Sequence, residues 1–302
     1  MLDLAIVILN YNTPDLTIKC LKSILESDLN LSYKIWVVDN ASTDNSLEKI
    51  SKFISQNSKL VFIKNTKNYG FSRGNNIALK KVYKDTKYCL LLNSDTVVFK
   101  DSLSNLVNFA NNNDFEIASC KLLNPDNSLQ PNTGSLPKPF AAYAWLSGLD
   151  DIFRKFIRIQ SYQERSKSYY LDEKEVGWVS GSVMLIKSFV FEKIGFFDEK
   201  IFMYGEDVDF CWRAKKKGCK IGWTNSAEIL HIGGASSDKP KNTQWLGEFK
   251  GLLYLYEKHY DKFAQGLLKI LIYFFILLRC ISFFVLGKKE YAKTYAEIIT
   301  NI

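Results

Sequence analysis

The feature that most constrains the fold of this chain is a regular alternation in its first 120 residues. Five short apolar runs, at residues 4–9, 34–38, 60–63, 88–92 and 115–120, are separated by stretches with helical periodicity. Continuous apolar strands that alternate with helices are typical of a parallel sheet with helices on both faces. The alternation therefore predicts a doubly wound α/β fold.

Two helix starts fit this alternation. Thr13 precedes Pro14, and Asp44 precedes a stripe of apolar residues with helical spacing. Hydroxyl and carboxylate side chains cap helix N-termini, and proline suits the first helical position. We therefore expect helices to begin directly after Thr13 and Asp44.

Polar side chains follow the ends of four apolar runs. The clusters are Asn10 to Asn12, Asp39 to Asp44, residues 65–74, and Asn93 with Ser94 and Asp95. In an open parallel sheet, ligands bind beyond the carboxyl ends of the strands. We expect these clusters to converge on one crevice, so that the first half of the chain is a ligand platform.

A nucleotide would have to be held without the common phosphate-binding motifs. The chain has no G-x-x-x-x-G-K-[ST] motif, and no G-x-G-x-x-G motif follows its first apolar run. Asp39 can accept a hydrogen bond from a base N–H, and the glycines of the segment N-Y-G-F-S-R-G-N-N from Asn68 permit close backbone approach. Arg73 in that segment is placed to meet a phosphate.

Asp95 ends the most apolar run, where a carboxylate has two interpretations. It either caps a following helix or binds a cation, with Asn93 beside it as a neutral oxygen ligand. His231 lies in another apolar run, which ends at a glycine pair. Its imidazole could add a metal ligand or contact a phosphate.

A cluster of acids, Glu206, Asp207 and Asp209, stands in the segment G-E-D-V-D-F-C-W-R from Gly205. One interpretation is a helix start, since acids in a first turn complement the helix dipole and Asp209 is four residues from Arg213. The other is a general base whose basicity is raised by its acidic and aromatic neighbours.

Charge and cysteine usage limit the classes of partner. A formal charge of +8 and a pI near 9.0 suit a nucleic acid, an anionic membrane or a phosphorylated substrate, but no arginine-rich tract or zinc-finger spacing favours nucleic acid. Six cysteines are scattered without a C-x-x-C pair, which indicates a reducing, cytosolic compartment. The N-terminus has no features of a secretory signal and predicts a first strand instead.

The last apolar segment, residues 267–286, is broken only by Lys269 and Arg279 and is followed by Lys288 and Lys289. On a helical wheel, Lys269, Arg279 and Ser282 share one sector, which favours a helix lying on a membrane over one that spans it. The alternative is a helix packed on the catalytic domain or on a second copy of the chain.

An ordered series of motifs carries a family resemblance. The series is N-Y-N at 10, V-V-D-N-A-S-T-D at 37, N-Y-G-F-S-R-G-N-N at 68, L-N-S-D at 92, G-W-V-S-G-S-V-M-L-I at 177, G-E-D-V-D-F-C-W-R at 205 and H-I-G-G-A-S at 231. It resembles the family 2 glycosyltransferases over residues 4 to 260. Within that family it is most similar to the rhamnosyltransferase-like branch that builds bacterial surface polysaccharides.

The resemblance implies a GT-A fold, which is a Rossmann-like, mostly parallel sheet with helices on both faces. The domain would cover residues 1–260, with a nucleotide-binding half at 1–121 and an acceptor and catalytic half at 122–260. Residues 261–302 would form apolar C-terminal helices that associate with a membrane through 267–289 or form a homodimer. The expected location is cytoplasmic, peripheral on the cytoplasmic face of the membrane.

The resemblance also implies roles for individual residues. Asp207 matches the general base, with Glu206 beside it, and Asp95 and His231 match positions at a Mg²⁺ or Mn²⁺ ion. Asn93 stands where the family's D-x-D motif has its first acid, which weakens the case for a metal. Trp178 and Gly181 would lie on the acceptor side, although a core role suits Trp178 equally. The expected nucleotide-binding residues are Asn10, Asn12, Asp39, Asn68, Gly70, Phe71, Arg73, Asn93 and Ser94.

The expected reaction is an inverting transfer of a sugar from a nucleoside-diphosphate sugar to a hydroxyl of a glycan or lipid-linked acceptor. dTDP-rhamnose is the first expectation for the donor and a UDP-sugar the second. Two alternatives remain, a sugar nucleotidyltransferase and a catalytically inactive glycan-binding scaffold. A sugar nucleotidyltransferase should show a glycine- and arginine-rich loop after the first strand, and this chain has none there. An inactive scaffold would not need the complete acid cluster at 206–209.

Overall fold

The computed structural model describes residues 1–149, 161–234 and 240–302, so the end of the H-I-G-G-A-S motif lies outside the described residues. The chain forms two compact units. The first comprises residues 1–133, 165–202 and 206–236, and the second comprises 134–164, 203–205 and 237–302. Residues 240–260 thus group with the C-terminal helices, whereas the family resemblance placed them in the catalytic half.

The strands belong mainly to one sheet in the first unit. They are β1 Leu2–Asn10, β2 Tyr33–Asp39, β3 Leu60–Lys64, β4 Thr86–Asn93, β5 Thr96–Val98, β6 Ile117–Leu123, β7 Leu129–Gln130, β8 Thr133–Gly134, β9 Lys174–Glu175, β10 Trp178–Val179, β11 Val183–Lys187 and β12 Ile221–His231. All five predicted apolar runs are strands, namely β1, β2, β3, β4 and β6.

The ten-stranded sheet has the order β3-β2-β1-β4-β11-β6-β12-β5, with β7 on β6 and β9 on β12. β1, β2, β3 and β4 pair in parallel, and so do β6 and β12. β11 runs antiparallel between β4 and β6, and β5 runs antiparallel to β12. The sheet is therefore mostly parallel, as predicted, with one reversed strand inside it.

The described helices have between 6 and 13 residues, except for two with 20 and 24 residues. They are α1 Pro14–Leu25, α2 Ser46–Ile54, α3 Gly70–Val82, α4 Ser102–Asn112, α5 Pro139–Ser147, α6 Phe189–Ile194, α7 Glu206–Lys216, α8 Pro240–His259, α9 Lys262–Val285 and α10 Lys289–Asn301. Among the described residues, α9 is the one helix whose length and composition would allow it to cross a bilayer.

Helices cover both faces of the sheet. Ile6 on β1 belongs to the same buried cluster as Leu21 on α1 and Ile50 on α2. Successive strand residues face opposite sides, and Leu9 meets α3, where a Cβ at Gly74 would come within 2.7 Å of it. Each fully buried leucine or isoleucine contributes about 1.5–3 kcal/mol. This two-sided burial explains why the strands read as continuous apolar runs.

The two predicted helix starts differ in outcome. α1 begins at Pro14, but the Thr13 hydroxyl donates to Asn10 Oδ1 (3.2 Å) and makes no capping hydrogen bond, so its capping role was wrong. α2 begins one residue later than expected, at Ser46, whose N–H donates to Asp44 Oδ1 (3.0 Å). The Thr13 side chain is thus used by the polar cluster at the end of β1.

The second unit is helical in its described part, and α9 and α10 run back along each other there. Arg279 on α9 donates to the carbonyl of Leu146 at the end of α5 (2.8 Å). On a helical wheel, Arg279 shares one sector with Lys269 and Ser282. The structure shows that Arg279 is instead held by the protein.

Candidate active site

The ends of β1 and β2 carry the first part of the site. Asn10 and Asp39 are paired across these strands and are both almost fully buried. Asn10 Nδ2 donates to Asp39 Oδ1 (2.8 Å), and Ser42 donates to both carboxylate oxygens, from its hydroxyl (2.7 Å) and its N–H (3.1 Å). Because a carboxylate has about four acceptor positions, Asp39 keeps capacity for one more donor, such as a base N–H.

Asn12 holds the loop that follows β2. Its backbone lies in the left-handed region at φ +55°. Its N–H donates to Ser42 Oγ (3.0 Å), and its Oδ1 accepts from the Thr43 N–H (2.8 Å). Asparagine tolerates this conformation better than most residues, so Asn12 is suited to this structural position.

Asn40 is a residue that the sequence analysis did not single out. Its Nδ2 donates to Asn68 Oδ1 (2.8 Å) and to the Gly70 carbonyl (3.2 Å). Its Oδ1 accepts from Asn65 Nδ2 (3.0 Å) and from the Tyr69 N–H (3.1 Å). Three of these bonds go to the loop before α3 and the fourth to its first residue, Gly70, so Asn40 fixes that loop against β2. The one sequence feature that could have indicated this role is the position of Asn40 directly after Asp39, at the end of β2.

α3 begins at Gly70, which must be a glycine for two reasons. Its φ is +74°, and a Cβ there would come within 2.4 Å of the Phe202 carbonyl oxygen. That same oxygen accepts from the Phe71 N–H at 2.7 Å. The expected nucleoside loop at Asn68, Gly70 and Phe71 is therefore a rigid, close-packed turn.

At the start of α3, Arg73 contacts Tyr69 and Glu199. Its guanidinium lies over the Tyr69 ring (4.3 Å to the centroid) and 3.6 Å from Glu199. Glu199 also pairs with Lys80 at 2.7 Å. Arg73 is half-exposed, and a phosphate would have to compete with Glu199 for it.

Asp95 and His231 meet at the ends of β4 and β12. Asp95 Oδ1 lies 3.2 Å from His231 Nε2, and Asp95 Oδ2 accepts from the Gly233 N–H at 2.9 Å. Burial tends to raise the pKa of Asp95, but the hydrogen bond and charge of His231 outweigh it and lower that pKa. β5, not a helix, follows Asp95, so the capping alternative is wrong.

Gln130 on β7 sets the tautomer of His231. Its Nε2 donates to the His231 carbonyl (3.2 Å) and to Asn124 Oδ1 (2.8 Å), which leaves its Oε1 facing His231 Nδ1 at 2.6 Å. A carbonyl oxygen can only accept, so Nδ1 carries a proton. The other ring nitrogen, Nε2, lies 3.2 Å from both Asn93 Nδ2 and Asp95 Oδ1. Gln130 was not recognised in the sequence.

These residues fit a divalent cation in part. The 3.2 Å between Asp95 Oδ1 and His231 Nε2 is close to the ~3 Å between neighbouring ligands of an octahedral ion with bonds of about 2.1 Å. No group of three or more His, Cys, Asp or Glu side chains suited to a metal occurs among the described residues. The remaining ligands would be a diphosphate and water, which is typical of Mg²⁺ sites.

Asp207 stands in the first turn of α7 and is partly accessible, whereas Glu206 before it is buried. Asp207 Oδ2 accepts from the Gly181 N–H (3.1 Å) and its Oδ1 from the Val208 N–H (2.8 Å). Burial raises the pKa of Asp207, and these backbone hydrogen bonds offset only part of that rise. A carboxylate in this state is suited to accept a proton.

Gly181 lies beside both Phe71 and Asp207. A Cβ at Gly181 would come within 3.0 Å of the Phe71 ring and 3.8 Å of the Asp207 Cβ. The neighbouring Ser182 carbonyl accepts from the Asn93 N–H at 2.9 Å, which joins this turn to the end of β4. Ser94 adds a contact between its hydroxyl and that of Thr13 (3.2 Å).

Two further positions have structural roles. Asp209 is fully buried and pairs with Arg213 Nε at 2.8 Å, which confirms the i,i+4 interpretation and distinguishes Asp209 from Asp207. Arg213 also donates to the Ile194 and Phe196 carbonyls. Trp178 is buried, and its carbonyl accepts from the Thr133 hydroxyl, which fits the core interpretation.

Known proteins with similar sequences are glycosyltransferases. The model of glycosyl transferase family 2 matches residues 5–195. The low-salt glycan biosynthesis hexosyltransferase Agl10 of Haloferax volcanii is 27% identical over 235 residues, which are 76% of this chain and 67% of that protein. The rhamnosyltransferase WbbL of Escherichia coli is 29% identical over 168 residues, covering 54% of this chain and 61% of that protein.

A third relative and two solved structures extend the comparison. The N-acetylglucosaminyl-diphospho-decaprenol L-rhamnosyltransferase of Mycobacterium tuberculosis is 33% identical over 109 residues, covering 35% of this chain and 34% of that protein. The Pyrobaculum calidifontis mannosyltransferase PcManGT, solved with GDP-Man and Mn²⁺, has a TM-score of 0.57 at 15% identity, covering 98% of this chain and 74% of that chain. GalNAc-T7, solved with UDP, GalNAc and Mn²⁺, has a TM-score of 0.58 at 15% identity, covering 77% and 43%. These structures share the GT-A fold with this chain.

Proposed function

The chain belongs to glycosyl transferase family 2, and from this premise we propose that it moves a sugar from a nucleoside-diphosphate sugar to an acceptor hydroxyl with inversion. The proposal rests mainly on the environment of Asp207. This side chain is a partly accessible carboxylate with a raised pKa, held by two backbone N–H groups beside the proposed nucleoside loop.

The proposed mechanism is a single displacement with Asp207 as general base. The acceptor hydroxyl oxygen attacks the anomeric carbon as its proton passes to an Asp207 oxygen. The bond from that carbon to the diphosphate breaks, and its electron pair leaves with the diphosphate. A positioned general base of this kind contributes a factor of about 10²–10⁴ to the rate.

The donor would be held by the polar ends of the strands. Asp39 offers an acceptor to the base, and the turn at Asn68, Gly70 and Phe71 supports the nucleoside. Asp95 and His231 would hold Mg²⁺ or Mn²⁺, which supplies positive charge to the departing diphosphate when bound. Asn93 adds a neutral polar group beside them.

The names of the relatives support a choice of donor sugar and acceptor. Two of them are named as rhamnosyltransferases and one as a hexosyltransferase, which supports dTDP-rhamnose first and a UDP-sugar second. A decaprenol-linked acceptor in one of these names supports a glycan or lipid-linked acceptor here. A soluble nucleotide donor and six free thiols suit the cytoplasmic face of a membrane.

The test is a transfer assay across nucleotide sugars with Mg²⁺ or Mn²⁺, run beside Asp207→Asn. We expect this variant to lose kcat/KM by about 10²-fold or more, because an amide cannot take the proton. Donor Kd, measured by calorimetry, should be retained. Asp126→Asn, which changes an exposed carboxylate, is the matched control and should keep full activity.

The pH profile provides a second readout of the same residue. Asp207 must be deprotonated to act, and its pKa is raised. We therefore expect kcat/KM to fall as pH drops through a value above the ~3.9 of an ordinary aspartate. Full transfer activity in Asp207→Asn would show that another residue is the base.

A further inference from the structure

One face of α9 is apolar and exposed along the whole helix. Its exposed side chains recur every three or four residues, on one side of the helix: Phe263, Leu267, Ile270, Phe274, Leu277, Ile281 and Phe284. Leu268, Ile272 and Ile276 on the opposite side are buried. Soluble proteins rarely leave a stripe of this length open, so it indicates a binding surface.

α5 extends this surface beyond a single helix. Phe140 is 65% exposed and Tyr143 is 37% exposed. The Tyr143 ring lies against Phe275 of α9, with 6.0 Å between centroids. We call the exposed stripe of α9 together with Phe140 and Tyr143 the apolar face.

Exposed lysines stand at both ends of the apolar face. Lys262 stands at the start of α9, Lys288 and Lys289 follow its end, and Lys138 precedes Phe140; all four are exposed. Lys269 adds a fifth exposed charge on the same helix. Lysines that flank an apolar helix face are typical of segments that bind anionic lipid.

From these observations we propose that the apolar face lies flat in the interface of an anionic membrane, with the flanking lysines on lipid head groups. The proposal concerns the second unit alone and does not depend on the transfer reaction.

The contacts of α10 argue against a spanning α9. Tyr273 on α9 donates to the carbonyl of Ile302, Cys280 donates to that of Ala292, and Phe283 stacks on Tyr295 at 5.8 Å. α10 therefore runs back along α9 and carries its own charged residues, Lys289, Glu290, Lys293 and Glu297. A spanning α9 would take these charges into hydrocarbon, where they are strongly disfavoured.

The positions beside the stripe argue against a coiled-coil partner. In a coiled coil, the residues flanking the apolar seam commonly carry charges that pair between helices. Here the flanking positions are uncharged, and Leu278 and Val285 among them are themselves exposed. The face is broad and apolar, which suits lipid better than the narrow seam of a second copy.

The test is co-sedimentation of the full chain with vesicles of phosphatidylcholine, with and without phosphatidylglycerol. The double variant Phe274→Gln with Leu277→Gln removes two exposed apolar side chains from the face. We expect it to weaken vesicle binding by about tenfold or more. The matched control is Phe189→Gln with Leu171→Gln, two exposed apolar residues of the first unit, which should bind as the parent does.

A second variant keeps the test valid if the first one fails to fold. Lys288→Gln with Lys289→Gln should lower binding only to vesicles that contain phosphatidylglycerol, and added salt should have the same effect. Circular dichroism melting checks that each variant is folded.

Three outcomes would overturn the proposal. Equal vesicle binding by the parent, by Phe274→Gln with Leu277→Gln and by Lys288→Gln with Lys289→Gln would show that the apolar face does not bind lipid. Resistance of the bound protein to alkaline extraction would indicate a spanning helix. A dimer in sedimentation equilibrium that is lost in Phe274→Gln with Leu277→Gln, without vesicle binding by the parent, would assign the face to a second copy.

Discussion

His231 illustrates how hydrogen bonds choose between two nearly equal forms of a side chain. Its Nδ1 faces an acceptor oxygen of Gln130, so a proton sits there, while Nε2 faces Asp95 at 3.2 Å. Metal-binding histidines commonly depend on such a partner, and losing it reduces metal affinity about 10–100-fold. Gln130 is therefore a positioning residue for the proposed metal site.

We predict that Gln130→Leu shifts His231 towards the Nε2–H tautomer and weakens Mn²⁺ binding by about tenfold or more. The tautomer is read from the ¹⁵N shifts of the ring in the metal-free protein, and affinity from calorimetry. Gln130→Glu keeps an acceptor for Nδ1 and should keep the tautomer, while Gln56→Leu on the exposed surface is the control. An unchanged ring spectrum in Gln130→Leu would contradict the assignment.

Single residues were predictable where the partner is local. Asp209 and Arg213 are four positions apart on one helix, so their ion pair follows from spacing alone. Gln130 and His231 are about a hundred positions apart and meet only because β7 and β12 flank β6. Thr13 looked like a helix cap because local rules could not show that Asn10 Oδ1 competes for its hydroxyl.

The start of α3 shows how an element depends on one backbone position. Gly70→Ala would place a Cβ 2.4 Å from the Phe202 oxygen at a φ of +74°. We predict a loss of about 3 kcal/mol in the free energy of unfolding, from strain together with the overlap, and weaker donor binding through the displaced Phe71. Urea unfolding and donor Kd are the measurements.

Gly148→Ala separates the two causes. The φ of Gly148, +72°, is close to that of Gly70, but nothing lies within 4 Å of a Cβ added at Gly148. It should therefore cost only the ~1–2 kcal/mol of left-handed backbone. Equal losses in the free energy of unfolding in the two variants would show that the overlap with Phe202 does not contribute to the effect of Gly70→Ala.

Elements were predictable where the pattern is strong and long. The five apolar runs became strands because burial on both faces requires continuous apolar residues. The reversed direction of β11 between β4 and β6 could not be predicted, since periodicity carries no information on pairing partners. β5, β7 and β9 are too short to produce a pattern.

At the scale of the whole molecule, the six free cysteines report on global unfolding. Five are buried, and burial raises the pKa of Cys20, Cys89 and Cys211 to about 12. Only Cys280 is partly exposed. A buried thiol with a raised pKa stays protonated at neutral pH and reacts slowly.

We predict that a thiol reagent modifies one cysteine rapidly in the native protein and all six in denaturant, and that Cys280→Ser removes the fast reaction. The count is made by absorbance or mass spectrometry. Two or more fast native thiols would show that the core around the sheet opens more readily than its burial indicates.

The place of β6 in the sheet also has a consequence for biosynthesis. Its long-range partners are β11 and β12, which come much later in the chain, whereas β1 to β4 can pair among themselves as soon as they are made. A ribosome-bound chain would therefore hold a complete first half-sheet beside an apolar strand that still awaits its neighbours. Pairing over long sequence distances is slow and leaves such strands open to aggregation. β6 is accordingly a segment of the nascent chain that is open to aggregation until β11 and β12 have been made.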